Sequence, residues 1–179
     1  MRWHIVITLF LLSNIVCSET EVSDCAVLNT TGEAFVLTSD IINSDATRCF
    51  EIASDHTILD CQGHTVDGVD DFGDFGIIST LHTNLTIRNC VVSDWSDGIY
   101  LPHCSNSTLE NNTANSNLES GIMIFNADGN TLINNTVAYT DQNQTVYQQI
   151  NQSKTLEVTP GMLLEFNPGW NLISLSLTP

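Results

Sequence analysis

Positive charge is almost absent from this sequence, whose 179 residues contain four Lys and Arg against 21 Asp and Glu, for a formal net charge of −17. A nucleic-acid-binding surface must neutralise phosphates with Lys and Arg, so the composition excludes nucleic acid as a partner. Polyanionic glycans such as pectate or alginate are disfavoured for the same reason, unless calcium bridges the carboxylates. Neutral surface glycans, cations and other proteins of the cell envelope are better matched.

The sequence also has no apolar run of the roughly 20 residues that a stable membrane span needs. Its start has a weakly basic beginning at Arg2 and His4, an apolar stretch at 5–12 and a small-residue cleavage site at 16–18. This order predicts a secretory signal peptide at 1–18, with a retained anchor as the alternative. We therefore expect a secreted or cell-surface protein that keeps no stable membrane span after cleavage. Its remaining cationic residues would be Arg48, Arg88 and Lys154.

Helical periodicity is missing as well, and a repeat takes its place. The stretch 98–101 (GIYL) is matched 23 residues later by 121–124 (GIMI), and a similar stretch opens at Gly76, 22 residues before Gly98. Each copy holds two short aliphatic runs separated by Asn, Ser, Asp and Gly. The pattern predicts an all-β fold, a right-handed parallel β-helix of about four rungs with 22–23 residues each. The predicted turn glycines, where a Cβ would clash or φ must be positive, are Gly76, Gly98 and Gly121.

A second repeated position lies 14 residues after each of these glycines and is occupied by Cys90, Asn112 and Asn135. Cys61 occupies the same position if Ile58 is equivalent to Ile87. An Asn repeated at one corner can bond the turns above and below it, as amide ladders do in stacked strands. Turn composition is the alternative reading of the Asn-rich segments. The predicted structural ladder consists of Cys61, Cys90, Asn112 and Asn135.

Five cysteines remain after signal removal, and an exported protein normally pairs its thiols. Cys25 and Cys49 could tie the N-terminal segment to the first rung. Cys61 and Cys90 share a slot on adjacent coils, within reach of a disulfide, although two reduced thiols in a ladder are the alternative. The odd count leaves one cysteine unpaired, for which we select Cys104.

The chain divides into four segments by composition and repeat. Residues 1–18 are the signal peptide and 19–48 are expected to cap the stack, because a bare end rung exposes its strands to edge pairing. The β-helix itself is expected at 49–159. The last segment, 160–179, contains a different strand motif around Trp170, which would pack there, and reads as an extra strand or a truncated following domain.

The spacing of the repeat is interrupted at one place, where extra residues that include several Asp are inserted. About seven more residues separate Cys61 from Gly76 than the later rungs use, and such insertions on one face of a solenoid are where ligands are usually met. The insertion 67–76 supplies the candidate catalytic residues, which are Asp67, Asp70, Asp71 and Asp74. Asp94 and Asp97 follow one rung on, and Arg88 is the only Arg inside the recognised coils. Oxygen ligands suit calcium, so a calcium site at Asp70, Asp71 and Asp74 is one hypothesis and a solvated acidic loop the other.

Other polar and aromatic residues carry weaker signals. The histidines at 56, 64, 82 and 103 show no paired spacing and read as turn residues. Cys61 and His64 have half the spacing of a zinc site, with no second half. The aromatic candidates, which either stack on sugar rings or pack the coil, are Trp95, Tyr100 and Phe125.

Seven Asn-x-Ser/Thr sequons are present, which an Asn- and Thr-rich repeat also produces by composition alone. Asn111 and Asn134 sit beside the proposed ladder, where packing would hinder a glycan. The better glycosylation candidates are Asn29, Asn143 and Asn151.

Several of these stretches together resemble a known group of proteins. The segments CFEI from Cys49, TILDCQGHTVDG from Thr57, IRNC from Ile87 and LINN from Leu132 are similar to the right-handed β-helix repeats of NosD-type and pectate-lyase-like surface proteins, of which archaeal cell-surface and S-layer-associated proteins carry many copies. The tail motif GWNLIS resembles a strand found after β-helices in those proteins. The resemblance implies the fold, whereas the same repeat occurs in lyases, hydrolases, epimerases and non-enzymes.

The sequence therefore predicts a secreted or cell-surface β-helix module with a structural or glycan-contacting role. The alternative is a carbohydrate-active enzyme, a hydrolase or lyase, that uses the acidic insertion 67–76. Lyases of the resembled group use an Arg base beside calcium-holding carboxylates, and hydrolases use paired Asp residues. No cofactor is required by the sequence, calcium is the candidate metal, and copper is suggested only by the family's name.

Overall fold

The structure, a computed structural model, describes residues 19–138, 147–150, 156–158 and 175–177, with side chains from 19 to 137. All regular elements among these residues are β-strands. In chain order they are β1 (Glu19–Val22), β2 (Ala26–Leu28), β3 (Ala34–Leu37), β4 (Arg48–Ile52), β5 (Ile58–Asp60), β6 (Thr65–Asp67), β7 (Phe75–Ser79), β8 (Thr86–Arg88), β9 (Val91–Ser93), β10 (Asp97–Pro102), β11 (Thr108–Glu110), β12 (Thr113–Asn115), β13 (Ser120–Ala127), β14 (Thr131–Ile133), β15 (Thr136–Ala138), β16 (Tyr147–Ile150), β17 (Leu156–Val158) and β18 (Leu175–Leu177). The predicted signal peptide lies outside the described residues.

The strands stack into three parallel sheets around one core. Sheet 1 has the order β1-β3-β5-β8-β11-β14, sheet 2 the order β6-β9-β12-β15, and sheet 3 the order β2-β4-β7-β10-β13-β16. The chain passes from sheet 1 through sheet 2 to sheet 3 and then begins the next turn. This confirms the parallel β-helix. We number the turns by their sheet 1 strand, so that β1 lies in turn 1 and β14 in turn 6.

The stack holds more strands than the four expected rungs supply, because sheets 1 and 3 have six each. The segment 19–48 provides β1, β2 and β3, which pair in parallel with the following turns. Its capping role stays a prediction. At the other end, β17 pairs with β18 in a separate two-stranded sheet, and Trp170 lies outside the described residues.

The core is built from aligned apolar residues, because every second residue of a strand points to the same face. In sheet 3, for example, Phe50, Ile77, Ile99 and Ile122 are partners in consecutive strands, and each is 0% exposed. Burying one such side chain contributes about 1.5–3 kcal/mol. The repeat is therefore visible in the sequence because each turn must present the same apolar face to its neighbours.

The register of sheet 1 corrects one expected equivalence. Leu59, not Ile58, is the partner of Ile87, and Leu59 is fully buried whereas Ile58 is only partly buried. The corner between β5 and β6 takes the four residues 61–64, but the corner between β8 and β9 takes only two. Corner length therefore differs between turns, and equivalent residues are given by the strand register.

The three predicted turn glycines lie in strands rather than in turns, but a Cβ at these positions would clash, which is one of the two predicted reasons for glycine. Gly76, Gly98 and Gly121 lie within β7, β10 and β13 rather than in turns. A Cβ on Gly98 would come within 2.7 Å of both the Asn117 side-chain nitrogen and the Gly121 carbonyl oxygen. The glycines therefore allow close approach of the next turn, not a positive φ.

Positive φ values are instead carried by polar residues at the corners. Asn89, Asn111 and Asn134 occupy one corner on successive turns with φ of 56°, 54° and 50°. Asn tolerates this left-handed conformation better than most non-glycine residues. The paired Asn of turns 5 and 6 is thereby explained, since the first Asn makes the corner and the second turns inward.

Two disulfides cross-link consecutive turns near the N-terminal end. Cys25 bonds Cys49 with a Cα–Cα distance of 4.3 Å, and Cys61 bonds Cys90 with a Cα–Cα distance of 4.8 Å. Cys104 is free and buried. The alternative of two reduced thiols at Cys61 and Cys90 is therefore not the arrangement found.

Candidate functional site

The inward Asn of each corner links neighbouring turns through its side-chain amide. Asn112 accepts a hydrogen bond from the Cys90 backbone N–H at 3.1 Å and donates to the Ile87 carbonyl at 2.9 Å. Asn135 repeats this one turn later, accepting from the Asn112 N–H at 3.0 Å and donating to the Leu109 carbonyl at 2.8 Å. Cys61 and Cys90 lie at the same corner of turns 3 and 4, where the disulfide replaces the amide contact.

Sequence reasoning missed two further ladders at the other corners. Asn130 accepts from the Ser107 N–H and donates to the Cys104 carbonyl, both at 2.8 Å. Asn117 accepts from the Trp95 N–H at 3.2 Å and donates to the Val92 carbonyl at 3.2 Å. The sequence could have indicated these ladders, because Asn130 stands 23 residues after the buried Ser107 and Asn117 stands 22 after Trp95, which are the spacings of the repeat.

Two carboxyl groups of consecutive turns, Asp67 and Asp94, come together at the corner between sheets 2 and 3. Asp67, at the end of β6, accepts hydrogen bonds from the Ser93 hydroxyl at 2.7 Å and from the Asn43 backbone N–H at 2.9 Å. Asp94, one turn further on, is close enough for a hydrogen bond between the two carboxyl groups to shift the pKa of each. This pair joins turns 3 and 4, which the sequence placed one rung apart without predicting the contact.

The two carboxyl groups titrate in opposite directions. Desolvation, the hydrogen bond to Asp67 and the negative charges of Asp67 and Asp70 raise the pKa of Asp94 to about 6. Partial burial also raises the pKa of Asp67, but the hydrogen bonds from Ser93, the Asn43 amide and Asp94 outweigh it and lower the pKa below its usual value. Two carboxyl groups that share one proton behave in this way.

The other predicted carboxylates do not join this pair as a metal site. Asp70 and Asp71 are exposed, and the Asp71 charge adds to desolvation in raising the pKa of Asp74. Among the described residues, no group of three or more His, Cys, Asp and Glu side chains could hold a metal ion. The calcium hypothesis at Asp70, Asp71 and Asp74 therefore receives no support from the geometry.

Asp97 lies at the start of β10 on sheet 3, next to the end of the insertion, because it pairs with Phe75 and its backbone N–H donates to the Asp74 carbonyl at 3.1 Å. It is 5% exposed and accepts a hydrogen bond from the Ser120 hydroxyl of the next turn. Burial raises the pKa of Asp97, the Ser120 hydrogen bond opposes this effect, and the charge of Glu119 adds to it. Desolvation and the charge of Asp97 in turn raise the pKa of Tyr100.

The outer face of sheet 3 carries a column of partly buried aromatic rings. Phe75 and Tyr100 have ring centroids 4.9 Å apart, and Tyr100 and Phe125 have centroids 5.9 Å apart. Trp95 is not part of this face, because it is only 1% exposed and its indole N–H donates to the Val66 carbonyl at 3.0 Å. The prediction that Trp95 stacks on sugar rings is therefore wrong. Tyr100 and Phe125 remain partly accessible, and Phe75 is a third aromatic candidate that sequence reasoning did not name.

Two of the histidines have carboxylate partners that sequence reasoning did not find. His64 Nδ1 lies 2.9 Å from Asp40 Oδ1, and the Thr65 backbone N–H donates to the same oxygen at 3.0 Å. His82 Nδ1 repeats this contact 3.3 Å from Asp55. The available signal was a Ser-Asp pair one turn before each His-Thr pair. His56 and His103 lie at corners with φ of 59° and 58°, as expected of turn residues.

Other predicted residues have simpler surroundings. Arg88 pairs with Asp60, Nε to Oδ2 at 2.8 Å. The sequon residue Asn29 is exposed, and so are Asn111 and Asn134, which therefore do not face the packing that was expected to hinder a glycan. The candidates Asn143 and Asn151 lie outside the described residues.

The fold and the repeated corners define a parallel β-helix repeat protein. Residues 12–158 match the family described as "Periplasmic copper-binding protein (NosD)". This match covers more than half of the chain, so the protein belongs to the NosD family. No curated protein and no solved structure matches the chain. The described residues contain no helix long and apolar enough to cross a membrane.

The copper in the family description requires a fit test against the donors of this chain. Copper is held by imidazole, thiolate and thioether groups. His64 and His82 direct Nδ1 to separate carboxylates, Asp40 and Asp55, and Cys104 is buried. Since no described group of three such side chains converges, these residues do not fit a copper site.

Proposed function

We propose that this NosD-family protein is an extracytoplasmic β-helix module that contacts neutral glycans through the outer face of sheet 3. The aromatic column of Phe75, Tyr100 and Phe125 carries the proposal. Its rings lie on three consecutive strands of one sheet, β7, β10 and β13. They form a diagonal row across that sheet, because Tyr100 pairs with Ile78 rather than Phe75 and with Met123 rather than Phe125. A linear glycan offers an equally extended ligand with apolar C–H faces.

The surroundings of the column select the charge of the ligand. Asp97 stands beside Tyr100, and the net charge of the chain is −17. A polyuronate would be repelled, whereas a neutral chain would meet ring faces, the Tyr100 hydroxyl and the Met123 thioether, which is aligned with Tyr100 in the register. Amphipathic aromatic side chains supply contact area at such surfaces.

The location belongs to the same proposal. The family description is periplasmic, the two disulfides suit an oxidising compartment, and the N-terminal residues predict a secretory signal. We place the module at the cell envelope, in the manner of surface-layer proteins. There a rigid rod with a glycan-contacting face would bridge protein and carbohydrate.

The test is a binding titration against uncharged oligosaccharides of several backbones, such as β-glucan, mannan and xylan fragments, with a uronate oligomer as the charged comparison. Tyr100→Ala and Phe125→Ala should each weaken binding by about tenfold, as expected for aromatic anchors. Val27→Ala is the matched control, because Val27 is a 57% exposed apolar residue of β2 in the same sheet. Absence of binding, or equal affinity of the Tyr100→Ala variant, would refute the proposal.

A second candidate function is hydrolysis, and the Asp67–Asp94 pair favours it. A carboxyl group with a pKa of about 6 beside a carboxylate with a lowered pKa is suited to acid–base chemistry near neutral pH. Two groups in direct hydrogen-bond contact are closer than the roughly 5–9.5 Å that flank a glycosidic bond in most glycosidases. In the proposed step the Asp67 carboxylate takes a proton from a water that attacks the anomeric carbon, and the Asp94 carboxyl gives its proton to the glycosidic oxygen as the C–O bond breaks. Release of reducing ends from the same glycans that is abolished by Asp94→Asn, but not by Asp74→Asn, would establish it.

A further inference from the structure

Exposed large hydrophobic side chains concentrate at the corner between sheets 2 and 3. We call this set of four residues the apolar edge, with exposures of 58% for Ile42, 41% for Val69, 79% for Phe72 and 41% for Leu118. The other large hydrophobic residues that are exposed in the described part of the chain are Val27 and Leu81, which lie on β2 and at the corner between sheets 3 and 1. Exposed apolar patches of this kind mark interaction surfaces.

Backbone contacts place three members of the apolar edge at one corner of turns 2, 3 and 5. In turn 2, Ile42 follows Ile41, which bridges Val66 in sheet 2. In turn 3, the Asp70 N–H beside Val69 donates to the Asp94 carbonyl of turn 4 at 2.7 Å. In turn 5, the Leu118 N–H donates to the Trp95 carbonyl of turn 4, also at 2.7 Å. With turns about 4.8 Å apart, Ile42, Val69 and Leu118 share one corner of the solenoid. Phe72 stands on the insertion at the same corner of turn 3.

The apolar edge is bordered mostly by negative charge, and Arg48, the register partner of Phe75, lies beside the insertion. Its acidic neighbours, on the insertion and the adjoining turns, are Asp67, Asp70, Asp71, Asp74, Asp94 and Glu119. The cationic side chains of the described residues, Arg48 and Arg88, are each paired with a carboxylate, Glu51 at 3.1 Å and Asp60 at 2.8 Å. A partner of this edge must therefore bring its own positive charge.

Neither the fold nor the glycan face explains these side chains. The core is complete without Phe72, which is 79% exposed, and Phe72 stands on the insertion that later turns do not have. The aromatic column uses different residues on sheet 3. A loop that costs ordering entropy and presents an aromatic ring to water has the composition of a binding anchor.

We propose that the apolar edge docks a basic, amphipathic segment of another protein, with its apolar side chains against Ile42, Val69, Phe72 and Leu118 and its Lys and Arg residues against the acidic rim. The rim steers such a segment and discriminates against the other occupants of an apolar patch. An anionic membrane surface and a second copy of this chain are both repelled, because each brings negative charge to a negative edge.

The probe is a synthetic peptide whose Leu and Lys residues lie on opposite faces of a helix, titrated into the purified protein by calorimetry. Phe72→Ser should weaken binding by about tenfold or more, as expected for an interface anchor. Leu81→Ser is the matched control, because Leu81 is 71% exposed at another corner, and it should leave the affinity unchanged. Asp71→Asn should weaken binding and reduce its salt dependence, whereas Asp128→Asn, at the corner between sheets 3 and 1, should do neither.

Each alternative occupant has its own readout. Equal binding of an all-Lys peptide would mean that charge alone is recognised, which overturns the apolar half of the proposal. Concentration-dependent dimerisation in sedimentation that Phe72→Ser abolishes would assign the edge to a second copy. Binding to anionic vesicles that Phe72→Ser abolishes would assign it to lipid. Absence of peptide binding, or equal losses in the Phe72→Ser and Leu81→Ser variants, also overturns it.

Discussion

Removal of one amide from the inward Asn ladder should destabilise the β-helix far more than its small volume suggests. In Asn112→Ala, the Cys90 N–H loses its acceptor at 3.1 Å and the Ile87 carbonyl loses a donor at 2.9 Å. Asn112 and Cys90 are both 0% exposed, so water cannot replace the missing groups without a rearrangement. The Asn135 side chain of turn 6 also loses a contact, at 3.0 Å.

The expected cost follows from the burial of the orphaned groups. A buried donor or acceptor left unpaired costs about 1–3 kcal/mol. The N–H has no second option, whereas a carbonyl keeps another lone pair, so the free energy of unfolding should fall by about 2–4 kcal/mol in total. For a domain of this size, 1 kcal/mol shifts the melting temperature by about 2–4 °C.

Urea denaturation followed by circular dichroism measures this difference, and Asn111→Ala supplies the control. Asn111 precedes Asn112, is exposed, and has the same chemistry. It makes one long contact, to Asn89 at 3.5 Å, so its loss should cost under about 0.5 kcal/mol apart from the backbone effect of its positive φ. A neutral Asn112→Ala, or a control variant that loses as much, would refute the reasoning that buried amides hold the turns together.

Three further predictions follow from the same structure. Gly98→Ala should destabilise the fold by about 2 kcal/mol or more, as seen in thermal melts, because its Cβ would meet a backbone oxygen of the next turn at 2.7 Å. Replacing both Cys61 and Cys90 by Ser should lower the unfolding free energy by about 2–4 kcal/mol, and a reductant should then have less effect on the variant. Because the pKa of Asp94 is raised to about 6, the wild type should lose stability as pH rises from about 4 through 6. Asp94→Asn should remove that loss, so the stability curves of the two proteins should diverge between about pH 4 and 6 and run parallel at higher pH.

The fold could be predicted from sequence because the packing of the core imposes the sequence repeat. Gly98 and Gly121, or Ile87 and Leu109, recur at 22–23 residues since each turn must cover the apolar face of the last. The disulfides were within reach for a similar reason. Cysteines at equivalent corners of consecutive turns are brought close by any parallel stack.

The details at the corners could not be predicted, because corner length varies while strand register does not. Cys61 follows Leu59 by two residues whereas Cys90 follows Ile87 by three, so a count that aligns the two cysteines matches Ile87 with Ile58 instead of Leu59. The glycines misled in another way. A repeated Gly looks the same in sequence whether φ is positive or a neighbouring turn is close, and only the second applies to Gly98.

The contact of Asp67 with Asp94 could not be predicted either, because it depends on residues that are far apart in sequence and on where the extra residues of the insertion begin. Its partners come from three places in the chain, since Asn43 precedes the pair by a whole turn and Ser93 follows Asp67 by 26 residues. The sequence indicated an acidic insertion but not which carboxyl groups would meet, because the extra residues could have carried Asp67 outward. They instead begin after Gly68, whose N–H still bonds the Ser93 carbonyl at 2.9 Å.

The division of labour within the solenoid explains why its candidate functions lie where the repeat is interrupted. The inward ladders and the aligned core hold each turn, and they constrain Asn112, Asn135 and the apolar strands to repeat. The outer faces carry no such constraint, so a residue that repeats there, or an insertion that persists, needs a separate cause. The aromatic rings on sheet 3 do not follow the register of the repeat, and Phe72 stands on an insertion without a role in the stack. These two departures from the repeat are the reason that we propose two different ligands, a neutral glycan for the aromatic column and a basic segment for the apolar edge.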